Sequence, residues 1–276
     1  MVIFILILFF LSVNCNEEFK DLICLFPNSF TLYNGNNLLC CSDGIYTYNS
    51  NFEETIYYYK FENQINSKED AYLVSISQYP NNDNALLITK DKFYFISFDG
   101  RVLFSKVLAL NNTGSYNTLI PYKYKNNYYF AVGFINSSKL LNIVYYIIDT
   151  LNKTIEMIKN YIPNVKNMLG NSASNFFNGF TCQIMHSNIY KDVLACFFHD
   201  NYPGEVGTFS FYINSTIQLI DDSFSYVKNS DTKRFIKSTV SPDKEKCLIC
   251  FSCEGNYGYY LKYDINLLKF YSGPNL

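Results

Sequence analysis

The sequence predicts an all-β protein in which a four-stranded unit of about 50 residues recurs five times. Short runs rich in Val, Ile, Tyr and Phe alternate with Asn, Asp, Gly, Ser and Pro along nearly the whole chain, as is typical of strands and turns. An Asp or Asn recurs between two of these runs, and two further runs precede each recurrence. Self-similarity at a fixed interval indicates a repeat architecture.

The recurring turn is represented by "FISFDGRVLF" (95–104), where Asp99 follows one apolar run and precedes another. Its counterparts are Asn49, Asp149, Asn214 and Asp264, so the successive intervals are 50, 50, 65 and 50 residues. Asp and Asn side chains accept hydrogen bonds from backbone N–H groups just downstream and tolerate turn dihedrals. We therefore predict that these five residues, called the marker residues below, are structural caps of turns.

Each marker residue lies between the third and fourth strands of its unit, so two strands come before it. The first strands are predicted at 29–33, 72–77, 116–122, 180–185 and 234–240. The second, more apolar strands are predicted at 37–41, 85–89, 128–134, 193–198 and 247–251. Only "NKTIEMIKNYI" (152–162) has an apolar spacing that also suits a helix, and its length is marginal for one.

Two segments fall outside the repeat. The 65-residue interval indicates an insertion, and "PNVKNMLGNSASNFFNGF" (163–180) is the candidate. Long loops on a rigid scaffold often carry binding function, so this loop is the expected contact site. "DLICLF" (21–26) is a spare strand, which could pair with "LLKFYSG" (267–273) and close a ring. The alternative is that five units form an incomplete part of a larger ring.

The repeat resembles the β-propeller superfold, in which four-stranded antiparallel blades surround a central channel. The resemblance covers residues 21–276 and implies a propeller of about five blades, incomplete or closed by an N-terminal strand. The Trp-Asp dipeptide of WD repeats, the double glycine of kelch repeats and the Trp-containing box of sialidases are missing, and the chain has no Trp. The likeness is therefore architectural and assigns no functional residues.

The first fifteen residues, "MVIFILILFFLSVNC", are typical of a secretory signal peptide. The apolar core from Val2 to Leu11 is too short to span a bilayer, and Val13 and Cys15 suit the positions before a cleavage site. We expect residues 1–15 to be removed, although an uncleaved anchor is an alternative. Residues 16–276 then form one propeller-like domain, secreted or displayed at the extracellular surface, with no stable membrane span.

Removal of residues 1–15 would leave eight of the nine cysteines, an even number that favours disulfides in a secreted chain. Cys182 and Cys196 lie on two strands predicted as a hairpin, where cross-strand Cβ atoms are close enough to be bridged. We predict this disulfide. The other candidates, of unknown pairing, are Cys24, Cys40, Cys41, Cys247, Cys250 and Cys253.

A metal site is not expected in "KCLICFSC" (246–253), because successive side chains of a strand point to opposite faces and three thiolates would not converge. The two histidines, His186 and His199, flank one hairpin and have no recognisable catalytic partner in the sequence. No cofactor is therefore expected. N-glycosylation sequons stand at Asn111, Asn136, Asn152 and Asn214, a number that the Asn-rich composition alone would produce.

The net charge of −2 and the lack of a basic run argue against a nucleic-acid partner. The sequence also lacks a phosphate-binding loop, a nucleophile elbow and a zinc-protease motif. The expected function is non-enzymatic binding of an unidentified protein or glycan. One alternative is a glycan- or peptide-processing hydrolase; the other is the N-terminal fragment of a larger surface protein. The hydrolase would draw its carboxylates from Asp70, Asp192, Glu205 and Glu245, which the sequence favours as solvated loop charges.

Overall fold

A computed structural model describes most of the chain between residues 28 and 271. The described ranges are 28–65, 74–80, 83–90, 92–108, 115–135, 141–162, 177–200, 205–215, 217–221, 223–228, 233–253 and 258–271. The predicted signal peptide (1–15), the spare strand (21–26) and its proposed closure of a ring lie outside these ranges or depend on residues that do. All regular structure in the described ranges is β, as the sequence predicts.

The described strands form five antiparallel sheets, numbered here as blades 1 to 5 in chain order. Blade 1 contains β1 (Asn28–Thr31), β2 (Asn37–Cys40), β3 (Gly44–Tyr48) and β4 (Thr55–Lys60). Blade 2 contains β5 (Ser75–Gln78), β6 (Ala85–Ile88), β7 (Lys92–Ile96) and β8 (Val102–Val107). Blade 3 contains β9 (Ser115–Tyr124), β10 (Asn127–Ile135), β11 (Leu141–Asp149) and β12 (Thr154–Tyr161).

Blade 4 contains β13 (Phe177–Ser187), β14 (Lys191–Asp200), β15 (Glu205–Tyr212), β16 (Gln218–Leu219) and β17 (Ser225–Lys228). Blade 5 contains β18 (Lys233–Val240), β19 (Lys246–Cys253), β20 (Gly258–Asp264) and β21 (Lys269–Tyr271). In blade 4, β16 and β17 both pair with β15, so its outer edge is divided into two short strands. The predicted units of four consecutive strands are therefore confirmed, with one divided strand.

The blades pack against one another in chain order through apolar clusters on their faces. One cluster joins blades 1 and 2, the next joins blades 2 and 3, and two more join blades 3 and 4 and blades 4 and 5. The second strand of a blade supplies many of the buried residues; in β6, all four residues are buried. Strands that are covered on both faces read as continuous apolar runs, which explains "ALLI" and "VLACFF" in the sequence.

The outermost strands follow a different pattern because they are less buried than the inner strands. β4 and β8 alternate between exposed and partly buried residues, and their sequences mix Lys and Ser with aromatic and aliphatic residues. This alternation gives each blade an apolar inner region and a polar rim.

The stretch that suited a helix is β12, the outermost strand of blade 3. A bulge shifts its register on β11, since Tyr146 lies opposite Met157 whereas Tyr145 lies opposite Lys159. Ile155 therefore packs in the cluster shared with blade 2, while Ile158 and Tyr161 pack in the cluster shared with blade 4. The three-residue spacing that resembles a helix is thus produced by a β-bulge.

The proposed insertion at 163–180 is placed differently by the structure. Its last four residues, 177–180, begin β13, and residues 163–176 lie outside the described ranges. Gly179 pairs with His199 of β14, and Phe180 pairs with Phe198, so the end of the segment belongs to the antiparallel β13–β14 pair. The expected contact loop is therefore shorter than predicted.

Candidate binding face

The five marker residues cap the turns between the third and fourth strands, as predicted. In each turn a side-chain oxygen accepts a hydrogen bond from backbone N–H. Leu151 N lies 2.9 Å from Asp149 Oδ1, and Ile217 N lies 2.7 Å from Asn214 Oδ1. Asn49 accepts from Asn51 and Glu53, Asp99 from Arg101, and Asp264 from Asn266 and Leu267. Backbone capping accounts for the residue type at all five positions without a catalytic role.

These turns share one end of the molecule with the turns between first and second strands. Consecutive strands of a blade are antiparallel, so the first-to-second and third-to-fourth turns project from the same end. Contacts between neighbouring blades align these ends: Asn36 Nδ2 of blade 1 donates to the Asp99 carbonyl of blade 2 at 3.0 Å. His186 N of blade 4 likewise donates to the Lys244 carbonyl of blade 5 at 2.9 Å.

Every blade carries an exposed apolar side chain at this end. Leu151 in blade 3 is 92% exposed, although it lies between a capping Asp and a sequon Asn. We call the full set the tip face; it consists of Tyr33 and Phe52 in blade 1, Phe98 in blade 2, Leu151 in blade 3, Ile189 in blade 4 and Leu267 in blade 5. The tip face therefore combines exposed apolar side chains from all five blades at one end of the molecule.

A network of polar side chains holds the tips of blades 2 and 3 together. Asp83, in the β5–β6 turn, accepts hydrogen bonds from Tyr128 Oη at 2.6 Å and from Lys123 Nζ. Partial burial opposes ionisation of Asp83, but these bonds, a bond from Asn84 N and the Lys123 charge outweigh it, so its pKa is lowered. Lys123 also lies 4.5 Å above the centre of the Tyr128 ring. These contacts link the first-to-second turns of blades 2 and 3, at the same end of the molecule as the tip face.

The tips of blades 1 and 2 are joined through Asp99. Tyr57 Oη of β4 donates to Asp99 Oδ2 at 3.1 Å, and Ser97 donates to the other carboxylate oxygen. Burial again raises the pKa of the Asp99 carboxyl, but the bonds from Ser97, Tyr57 and Arg101 N, with the Arg101 charge, lower it overall. The carboxylate of this marker residue thus connects two blades as well as capping its own turn.

Of the four candidate carboxylates of a hydrolase, the structure describes the side chains of Asp192 and Glu245, and both are engaged in hydrogen bonds near the protein surface. Asp192 Oδ1 lies 2.9 Å from His186 Nδ1 in an exposed pair, and Glu245 accepts from Asn188 Nδ2 at 2.9 Å. Asp70 and the side chain of Glu205 lie outside the described residues. His199 is buried in β14 and pairs with Val206 of β15, away from His186. Within the described ranges, no group of three or more His, Cys, Asp or Glu could hold a metal ion.

The predicted disulfide between Cys182 and Cys196 is present. The two residues are direct partners in the β13–β14 ladder, and their Cα atoms are 4.1 Å apart. Both are nearly fully buried in the cluster between blades 3 and 4. The hairpin register read from the sequence therefore placed this bond correctly.

The structure separates the other cysteine candidates, whose pairing the sequence left open, into bonded and free residues. Cys41 is disulfide-bonded, whereas Cys40, Cys247 and Cys250 are free thiols. Cys40 and Cys247 are buried in apolar clusters, where a thiol packs as a small hydrophobic side chain. Alternation along β19 buries Cys247 and exposes Cys250, as expected for a strand. Cys24 and the side chain of Cys253 lie outside the described residues.

Two of the four sequons lie on turns at the same end of the molecule as the tip face. Asn152 is exposed, and its Nδ2 donates to Asp149 Oδ2 at 2.7 Å; Asn214 is one of the marker residues. Asn111 and Asn136 lie outside the described residues. Whether any of the four is glycosylated stays a prediction.

Taken together, the fold and the blade order define the class: the chain has a β-propeller fold. It superposes on the β-propeller domain of Nup133 from Vanderwaltozyma polyspora with a TM-score of 0.52 at 12% identity, covering 90% of this chain and 67% of that chain. It is also similar to the complex of the fission yeast SREBP-SCAP binding domains, with a TM-score of 0.50 at 11% identity, covering 96% of this chain and 80% of that chain.

No protein-family model and no curated protein matches the sequence. At these identities the structural likeness shows the fold alone. In the described residues, no helix is long and apolar enough to cross a membrane.

The tip face was not found by reading the sequence. The sequence does place Phe52, Leu151 and Leu267 two or three residues after a marker residue, within the predicted turns. Their exposure and their common end depend on blade packing, which the strand pattern does not report.

Proposed function

We propose that this chain is a secreted or surface-displayed, non-enzymatic module that binds a protein through the tip face. The observation that carries the proposal is the recurrence of an exposed apolar side chain at the same end of all five blades. Partly exposed aromatic and aliphatic anchors surrounded by polar turns are typical of protein recognition sites.

The hydrogen bonds that hold the turns at the end of the molecule with the tip face also favour recognition of a partner protein. The turns are held by capped backbone and by bonds between blades, so little conformational entropy is lost when a partner orders them. The marker carboxylates, including Asp99 and Asp149, are already engaged in capping. They are consequently poor candidates for catalysis and good ones for rigid positioning of their apolar neighbours.

Secretion is supported by the apolar segment at residues 1–15 and by the buried disulfide between Cys182 and Cys196. Disulfides persist in oxidising compartments and are rare in reducing ones. The matching experiment is expression of the full chain in a eukaryotic secretory host. We expect the medium to contain protein that begins at Asn16, and retention of uncleaved protein inside the cell would contradict secretion.

A phage-displayed library of random peptides tests the binding role, since such selections enrich for peptides that occupy a protein's recognition surface. Peptides selected on the wild-type chain would be measured again on the variant F98S/L151S/L267S, which removes three anchors of the tip face. We expect at least a tenfold loss of affinity. The matched control is V107S/M157S, which changes exposed apolar residues on the outer strands β8 and β12. An equal loss in the control would place binding elsewhere.

A further inference from the structure

Several turns at the end of the molecule that carries the tip face hold a residue other than glycine in a left-handed conformation. In the described ranges these residues are Phe52, Lys125, Lys153, Lys191, Ile217, Lys244 and Leu268, with φ between 48° and 63°. A side chain in this conformation crowds its own backbone, so glycine and asparagine are favoured there. At each position the chain therefore keeps a side chain that the local backbone disfavours.

Packing explains the apolar members of this set. Ile217 is buried in the cluster between blades 3 and 4, and Leu268 is buried in the cluster between blades 4 and 5. The centre of the Phe52 ring lies 6.1 Å from the centre of the Tyr48 ring. Contacts between apolar side chains offset the cost of a strained backbone. The fold itself therefore accounts for these three residues.

The lysines have less to offset the strain. Lys125 lies 5.5 Å from the centre of a tyrosine ring, whereas Lys153, Lys191 and Lys244, called the turn lysines below, are exposed. Lys191 Nζ makes one long hydrogen bond, of 3.4 Å, to the Asn188 carbonyl of its own turn. Within the described part of the chain, the ammonium groups of the other two turn lysines have no hydrogen-bond or ion-pair partner. These ammonium groups are therefore available to another molecule.

The carboxylates on or next to the same turns are already engaged. Asp149 accepts a hydrogen bond from Asn152 N at 3.0 Å, and Asp243 accepts one from Glu245 N at 3.0 Å. Asp192 and Glu245 bond to His186 and Asn188, as described above. These acidic side chains satisfy donors within the turns, whereas the turn lysines project outward. The hydrogen-bonding capacity that is left on this surface is therefore cationic.

Two of the turn lysines stand beside anchors of the tip face in the same arrangement. In blade 3, the exposed Leu151 is followed two residues later by Lys153. In blade 4, the exposed Ile189 is followed two residues later by Lys191. Both turns are capped by a side-chain oxygen that stands two residues before the apolar residue. The same pair of an apolar anchor and a cation thus occurs on two blades.

Lys244 belongs to the same surface because its turn is bonded to blade 4. The Lys244 carbonyl accepts from His186 N at 2.9 Å, and Asn188 N donates to Asn266 Oδ1 at 3.0 Å. Asn266 precedes Leu267, the anchor of the tip face in blade 5. The cations and anchors of blades 4 and 5 therefore lie on turns that contact each other.

The gaps between described ranges flank the opposite end of the molecule. Each gap longer than two residues joins strand ends that lie opposite the tip face, because consecutive strands are antiparallel. These gaps are 66–73, 109–114, 136–140, 163–176, 201–204, 229–232 and 254–257. The turns that carry the tip face and the turn lysines are accordingly among the described residues.

We propose that the tip face recognises an acidic polypeptide segment in which Asp or Glu residues stand beside apolar ones. The carboxylates bind the turn lysines, and the apolar side chains contact Leu151, Ile189 and Leu267. A role in recognition explains why lysine stands where the backbone favours asparagine or glycine. This inference rests on the proposed function and adds the chemical class of the partner.

Random peptides displayed on phage and selected on the wild-type chain serve as probes. We expect the selected peptides to be enriched in Asp and Glu next to apolar residues. Their affinity should fall about tenfold when sodium chloride rises from about 50 mM to about 500 mM, since salt screens exposed charges. Selected peptides without an excess of acidic residues, or with an affinity that salt does not change, would overturn the proposal.

The variant K153N/K191N/K244N removes the three charges and gives each position a residue that the left-handed conformation favours. We expect it to bind the selected peptides about tenfold more weakly than the wild type and to unfold at no lower urea concentration. An unchanged affinity would overturn the proposal. A clearly lower unfolding midpoint would also overturn it, because the lysines would then serve the fold.

The matched control K60N/K106N/K159N removes three exposed lysines from the outer strands β4, β8 and β12. It changes the net charge by the same amount, and we expect it to keep the wild-type affinity. A loss as large as that of the turn-lysine variant would indicate attraction by net charge alone and would overturn the proposal.

The anchor variant F98S/L151S/L267S separates this inference from the proposed function. Peptides that lose affinity in the anchor variant but bind the turn-lysine variant as tightly as the wild type uphold the proposed function and overturn the acidic partner. Peptides that neither variant affects overturn both.

Coverage of the tip face by other residues of this chain gives a distinct result. We expect N-hydroxysuccinimidyl acetate to acetylate the turn lysines of the free chain as readily as Lys60 and Lys106, measured by peptide mass spectrometry. Protection of the turn lysines relative to these two residues would assign the surface to the chain itself and would overturn the proposal.

Discussion

Thr47 of blade 1 and Gly100 of blade 2 form a direct connection between two blades. Thr47 Oγ1 donates to the Gly100 carbonyl oxygen at 2.7 Å, and a Cβ added at Gly100 would lie 2.3 Å from the Thr47 methyl carbon. Gly100 also has a φ of +99°, a conformation that residues with a side chain rarely adopt. Gly100 is thus required both by its positive backbone φ and by the close approach of the Thr47 side chain.

The substitution Gly100→Ala should lower the free energy of unfolding by about 2–4 kcal/mol, because it adds backbone strain and a steric clash. Urea denaturation measures the loss. The matched control is Gly35→Ala: Gly35 has a φ of +91°, but the nearest atom to an added Cβ is Ser50 Cβ at 3.7 Å. We expect about 1–2 kcal/mol there, from backbone strain alone. Equal losses would show that Thr47 does not crowd Gly100.

Removal of the disulfide by C182A/C196A should lower the free energy of unfolding by about 3 kcal/mol, since the bond closes a loop with a sequence separation of 14 residues. Thermal and urea denaturation would both report the change. The control C250A alters an exposed thiol and should stay within about 0.5 kcal/mol of the wild type. A double variant as stable as the control would contradict the bond's role.

Alkylation should distinguish the free thiols. Burial, with a contribution from Asp43, raises the pKa of Cys40 to about 12. Burial likewise raises the pKa of Cys247 to about 12. Both thiols are therefore protonated and shielded at pH 8. Peptide mass spectrometry after iodoacetamide treatment should find Cys250 modified in the native protein, and Cys40 and Cys247 modified only in denaturant. Native modification of Cys40 would contradict its packing between blades 1 and 2.

Stability should fall in acid because of Asp83 and Asp99, whose folded pKa values are lowered. A lowered folded pKa contributes stability above the unfolded value and loses it as the pH falls through the folded value. The free energy of unfolding should therefore decrease as the pH falls below the usual Asp value of 3.8. Asp83→Asn should be less stable at pH 7 and should show a weaker decrease in acid. An unchanged acid dependence in this variant would indicate that Asp83 makes no net contribution.

Two tyrosines of blade 3 should respond in opposite ways to removal of their hydroxyl groups. The Tyr122 hydroxyl is buried and, within the described residues, has no hydrogen-bond partner, so Tyr122→Phe should be neutral or stabilising by up to about 1 kcal/mol. The Tyr128 hydroxyl donates to Asp83, so Tyr128→Phe should be destabilising by about 1–3 kcal/mol. Urea denaturation measures both, and a large loss in Tyr122→Phe would reveal a partner for its hydroxyl.

Much of the fold could be predicted because its causes are local. The marker residues form hydrogen bonds with backbone groups only a few positions away, so the turns at Asp149 and Asp264 can be recognised from the sequence. The pairing of Cys182 with Cys196 followed from a hairpin whose two strands are adjacent in the chain. These features depend on residues that are close in sequence.

Other features could not be read from the sequence because their causes lie in neighbouring blades. The helix-like spacing in β12 reflects a bulge that sends Ile155 to blade 2 and Ile158 to blade 4. The even cysteine count favoured pairing, yet Cys40 and Cys247 are enclosed in different apolar clusters. The sequence shows that a cysteine lies among apolar residues, but the packing of the blades decides whether a second thiol lies close enough to form a disulfide.

The sequence by itself therefore determined the strands, their grouping into five units and the residues that cap the turns, since alternation and turn chemistry act over a few residues. Tertiary structure alone decided which faces are covered. Leu151 is exposed and Leu86 is buried because of where the blades place them, and the two residues are chemically identical. The tip face arises from the packing of whole sheets, in which contacts join residues far apart in the chain.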